Sequence, residues 1–202
     1  MPFIETQCDD HKGKWKDGLC SCFRLGISHP TLCNAWLCPQ VLLGQLLTRM
    51  KMNWLAAPSS KASYQSTFRK IMAFLFVFSV YDLYMRPPLF EVIVDEKGEL
   101  SLTQNSYPLW QQVCYILLSL PMSAYGIVVV AKLRAAIRAK YGIPTGRLGR
   151  LEDFMCVCFC NCCVFAQMAR QTANYDQEPA ACCSPTGVRK KATLTEEATS
   201  LV

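Results

Sequence analysis

Two blocks of cysteine hold the residues best suited to chemistry. The front block reads Trp15-Lys-Asp-Gly-Leu-Cys20-Ser-Cys22-Phe23, then Cys33-x4-Cys38-Pro39. The rear block reads Cys156-x-Cys158-x-Cys160-x-Cys162-Cys163 and runs into Gln167-Met-Ala-Arg170. Nine of the thirteen cysteines lie in these two blocks. Thiols at this density serve as soft-metal ligands, lipid attachment points or disulfide partners. The side of a membrane on which they lie selects among the three.

A structural zinc site takes four ligands, and Cys20, Cys22, Cys33 and Cys38 supply four within one segment, although not as Cys-x2-Cys pairs. If the rear block is helical, Cys156, Cys160 and Cys163 share one face and Cys158 and Cys162 another. A site that joins the two blocks is also open. Thiolates prefer zinc, cadmium and cuprous copper to magnesium or calcium. Cys182 and Cys183, near the C-terminus, read as lipidation sites rather than ligands. The plain alternative is that these cysteines pack as small hydrophobes. His11 and His29, the two histidines, read as surface or core residues. No Gly-rich phosphate loop and no set of nucleophile, base and orienting group is visible, so no enzyme is expected.

The elements that position these thiols follow from composition. The chain has 202 residues, 51% hydrophobic and only 18% charged, with a net charge of +6. A soluble domain is nearer a quarter charged, so few-span membrane protein is the class indicated. The basic residues flank apolar segments instead of forming a free basic face, which argues against nucleic acid. Residues 109–131 form an uncharged run long enough for a bilayer core of about 30 Å. Residues 66–85 form a second expected span, with Asp82 near one end, where its cost is reduced. Lys and Arg without acids occupy both inner flanks, 49–70 and 132–150, whereas Glu91, Asp95, Glu96 and Glu99 fall in the intervening loop 86–108. Positive-inside reasoning places both termini in the cytoplasm. The acidic N-terminus and the lack of any Asn-x-Ser/Thr site agree with that orientation. Tyr81, Tyr84, Tyr107 and Trp110 then gather at the outer interface, and the alternation around Glu96-Lys97-Gly98 predicts a small β-hairpin. On the cytoplasmic side disulfides are disfavoured.

Leu43, Leu46, Leu47, Met50 and Trp54 share one face of a basic amphipathic helix over 41–55, suited either to lying in the membrane plane or to packing on the domain. The segment from Asp176 is rich in Glu, Pro, Ala and Thr and is expected to be disordered.

The front block resembles the placenta-specific gene 8 domain family, which includes plant cadmium-resistance proteins and cell number regulators. The likeness rests on Trp15, Gly18, Leu19, Cys20, Cys22, Phe23, Cys33, Cys38 and Pro39. It continues through Leu133-Arg134-x-x-Ile137-Arg138-x-Lys140-Tyr141-Gly-Ile143, then Asp153, and the run Phe159-Cys160-Asn161-Cys162-Cys163-Val-Phe-Ala-Gln167. Gln40 stands where the family's front run ends in cysteine, and the middle of the chain is longer than in compact members. The resemblance implies a membrane-associated, cysteine-rich protein, oligomeric, with soft-metal tolerance or growth regulation as its roles.

The combined expectation is an all-α membrane protein: a two-span helical hairpin with Cys-rich helical and loop segments and a small extramembrane β-hairpin. Residues 1–12 form an N-terminal segment, 13–175 the Cys-rich membrane domain and 176–202 a disordered tail. The expected function is zinc or cadmium tolerance, sequestration or export at the plasma membrane by a homo-oligomer. The alternative is a membrane-tethered adaptor or growth regulator with thioacylated cysteines. Candidate metal ligands are Cys20, Cys22, Cys33, Cys38, Cys160 and Cys163, with zinc or a similar divalent ion as cofactor.

Overall fold

A computed structural model describes residues 12–21, 23–26, 29–86, 91–94, 100–103 and 108–189. Among these are six helices and two short strands. The chain divides into two compact units, one made of Met1–Met72 and Ile127–Val202, the other of Ala73–Gly126.

The larger unit is built around α6, Asn161–Thr172, in which Val164 to Gln171 are all buried. Helix α1, Pro30–Leu37, begins where Pro30 presets a helical φ, and His29 caps it by accepting from Thr31 N at 3.3 Å. Cys38 closes α1 and Pro39 opens α2, Pro39–Arg49. Helices α1, α2 and α5 (Arg150–Phe159) all pack on α6. The C-terminal part of α4, Leu109–Tyr141, adds Val129, Val130, Leu133 and Ile137 to the core. Each fully buried Leu or Ile of this kind contributes about 1.5–3 kcal/mol of apolar burial.

Helix α2 is not an in-plane membrane helix. Leu42, Leu43, Gly44, Gln45, Leu46 and Leu47 are all buried, so the domain covers it on every side along this stretch. Gly44 lets α3 (Lys61–Met85) approach: a Cβ there would stand 3.0 Å from the Phe68 ring. The expected helix also stops short. Met50 ends it, and residues 51–59 turn back, with Asn53 Oδ1 accepting from the amides of Leu55 and Ala57, both at 3.0 Å.

The expectation of disorder from Asp176 fails for residues 176–189. Ala180 and Val188 form a β-bridge, and Gly187 makes the turn with φ +69°. The physical reason lies in α2. Gln45 Nε2 donates to the carbonyls of Cys182 (2.7 Å) and Ser184 (3.1 Å), and Arg49 Nε donates to the Thr186 carbonyl. Residues 1–11 and 190–202 lie outside the described residues.

In the smaller unit, α3 and α4 run side by side. Tyr81 OH donates to the Cys114 carbonyl at 2.8 Å, and the Phe74 and Tyr125 rings meet edge to face at 6.1 Å. Asp82 pairs with Arg86 at 2.8 Å, one turn later on the same helix, and accepts from Tyr115 OH at 3.3 Å. Strands β1, Glu91–Val94, and β2, Leu100–Thr103, pair antiparallel, with Glu91 opposite Thr103 and Val94 opposite Leu100. Of the described helices, α4 alone is long and apolar enough to cross a membrane, and 11% of its most apolar window is buried. Helix α3 is long enough but less apolar: Arg69 and Lys70 precede its apolar run of residues 71–85, and Asp82, paired with Arg86, lies near the far end of that run.

Candidate functional site

The structure separates most of the predicted ligands. Cys33 sits within α1, and Cys38 is exposed at the α1–α2 junction. Cys20 is exposed in the turn after Gly18. Cys22 lies outside the described residues. The rear block is not one helix: α5 ends at Phe159, Cys160 is the cap, and α6 leaves at a bend of 117°. The shared face of Cys156, Cys160 and Cys163 expected from a continuous helix is therefore broken. Cys163 is disulfide-bonded, so its sulfur is no thiolate donor in this state, and Cys162 Sγ lies 3.9 Å from it. Among the described residues, no group of three His, Cys, Asp or Glu side chains stands close enough to hold a metal ion.

The tail does bring a thiol to the front block. The tail lays Cys182 against α1: its Sγ contacts Asn34 Oδ1 at 3.1 Å, and Asn34 Nδ2 donates to its carbonyl at 3.0 Å. Asn34 directly follows Cys33, so the tail pair Cys182-Cys183 meets the front block here. Burial, and then the nearby thiols of Cys183, Cys33 and Cys38, push the Cys182 thiol above its ordinary pKa, against an opposing effect of its hydrogen bond with Asn34. The pairing of a tail cysteine with the front block was not legible in spacing, because Asn34 and Cys182 are far apart in sequence.

The residues that carry the family likeness meet elsewhere, in the core. Asp153 Oδ1 accepts from Arg134 Nε (3.0 Å) and Arg138 Nη1 (2.7 Å), and all three side chains are nearly inaccessible. Arg134 Nη1 continues to Gln167 Oε1 at 2.7 Å, and Gln167 Nε2 to the Asp17 carbonyl at 2.9 Å. The Asp17 carboxylate takes Arg170 Nε at 2.8 Å and Arg24 Nη1. The Trp15 ring lies under the Arg134 guanidinium at 4.4 Å. One polar chain thus ties the front segment, α4, α5 and α6 together. Buried ions in such a chain hold segments in register; replacing one partner leaves an unpaired charge.

The sequence model of the PLAC8 family matches residues 15–171. No curated protein and no solved structure shows a significant match. The match ends before the strap at 176–189, so Cys182 and Cys183 lie beyond it.

Proposed function

The chain belongs to the PLAC8 family, and from that premise we propose that it is a non-enzymatic membrane protein that captures zinc or cadmium through surface thiols. Its role is metal tolerance, sequestration or export at the plasma membrane. The contact of Cys182 with Asn34, which places the tail pair Cys182-Cys183 against the helix that carries Cys33, carries this reading. Cys38, Cys182 and Cys183 are exposed, so a cation can reach these thiols. Capture requires these side chains to close on the ion, since they do not form a cage as they stand. The membrane placement is supported by α4, whose most apolar stretch stays uncovered: Leu117 and Leu120 are 67% and 65% exposed. The core helix of a soluble protein buries such residues. Helix α3 serves as the second span, both termini lie in the cytoplasm, and transport takes several copies, because two spans enclose no pathway.

The test is elemental analysis of detergent-purified protein prepared with reductant and without chelator. Stoichiometric zinc or cadmium that is lost on Cys33→Ser with Cys182→Ser supports the reading, and metal-free protein after cadmium exposure overturns it. A second reading, a tethered regulator thioacylated on Cys182 and Cys183, draws on the exposure of both thiols. Hydroxylamine-labile acyl groups on these two positions, in metal-free protein, would favour it.

A further inference from the structure

Helix α5 is built inside out. It buries Asp153 and Val157. Its outward stripe consists of Leu151, Phe154, Met155, Cys158 and Phe159, the last 76% exposed, and Leu148 just ahead is 62% exposed. At 100° per residue these positions fall on one side and the buried pair on the other. A helix surrounded by water has no reason to keep an aspartate inside and two phenylalanines out. Here the aspartate is inside because Arg134 and Arg138 need it. The apolar stripe is left for something beyond this chain.

The rim of the stripe identifies the occupant. Arg147, just ahead of α5, and Arg150, its first residue, are exposed. Of the two acids on α5, Asp153 is buried, and Glu152 is half-buried with its carboxylate against Gly146. An apolar stripe with a basic rim matches an anionic membrane surface, acyl chains under the stripe and headgroup phosphates at the cations. A second copy of the chain fits less well, because a two-fold contact on this face would bring the same arginines of both copies together. A short connection, residues 142–149, joins α5 to α4, the helix long and apolar enough to cross a bilayer.

We infer that α5 lies in the plane of an anionic bilayer surface, with Leu151, Phe154, Met155 and Phe159 among the acyl chains and Arg147 and Arg150 on headgroups. The inference rests on the membrane placement proposed above. It puts Cys158 at the depth where thioacyl chains enter a bilayer.

The test uses the full chain in nanodiscs of phosphatidylcholine and phosphatidylserine, with a photoreactive residue introduced singly as Phe159→p-benzoylphenylalanine, Leu117→p-benzoylphenylalanine or Gln177→p-benzoylphenylalanine. Adducts are identified by mass. Lipid adducts at Phe159 and Leu117, with none at Gln177, are expected. Arg147→Gln and Arg150→Gln should each lower the Phe159 lipid adduct about fivefold in serine-containing discs. A lipid adduct at Leu117 without one at Phe159 overturns the α5 inference and leaves the membrane placement standing. A protein dimer adduct at Phe159 overturns it in favour of a second copy. Absence of lipid at Leu117 as well removes the membrane placement and the inference with it.

Discussion

Asp153 Oδ1 takes hydrogen bonds from two buried guanidinium groups, so Asp153→Ala leaves Arg134 and Arg138 as uncompensated buried cations. The expected cost is about 3–5 kcal/mol, read as a loss of unfolding free energy in detergent. His29 sets a second expectation. Its Nδ1 accepts from the Thr31 amide, and burial, followed by the Arg170 charge, holds its pKa below the ordinary histidine value. The unfolded chain therefore takes up this proton first as pH falls. Stability should be level above about pH 6.5, the ordinary histidine value, and decline on acidification until the lower folded value is passed. His29→Asn keeps a capping acceptor and does not titrate, so thermal unfolding followed from pH 7.5 to 5 should lose this part of its slope. The sequence shows Trp15, Arg134, Arg138, Asp153 and Gln167 as a motif in the right order. It does not show that they bond to one another, because each contact closes across elements that spacing does not bring together.

At the scale of elements, what could be read in advance depended on how local the determining forces are. The uncharged run in α4 announces itself, since length and apolarity are local properties. The hydrophobic face of α2 was visible too, but its surroundings were not. Gln45 and Arg49 look like the polar side of a surface helix and instead hold the returning tail. The same long-range contacts order residues 176–189 against their composition. Gln45→Leu should release this strap without disturbing the leucines beside it. Cys182 would then leave Asn34, Cys33 and Cys38, and its raised pKa should fall back towards that of a free thiol. More thiolate at neutral pH means faster alkylation. The iodoacetamide rate at Cys182, followed against pH by peptide mass, should shift to lower pH in Gln45→Leu. An unchanged profile would mean that the strap is held by contacts other than Gln45.

At the scale of the molecule, the sign and placement of charge decide the orientation. Lys132, Arg134, Arg138, Lys140, Arg147 and Arg150 follow the apolar stretch of α4, and Arg49, Lys51, Lys61, Arg69 and Lys70 precede that of α3. Two of these cations do not act on the bilayer at all, because Arg134 and Arg138 are spent on Asp153. Within the flanks 49–70 and 132–150 the other nine cations face no acid, whereas Glu91, Asp95, Glu96 and Glu99 lie in the segment between the helices. The proposed orientation is supported by that local asymmetry. It has a consequence for Cys163: a reducing cytosol would open the disulfide seen in this structure. In intact cells, a membrane-impermeant maleimide should label Lys97→Cys and leave Cys20 and Cys160 untouched, with sites resolved by peptide mass. After permeabilisation Cys20, which is exposed, should label at once, and Cys163 should label without added reductant. Labelling of Cys20 in intact cells would reverse the topology. The Cys163 disulfide would then face an oxidising space, and the thiol corner at Asn34 would have to be read as a disulfide site rather than a metal site.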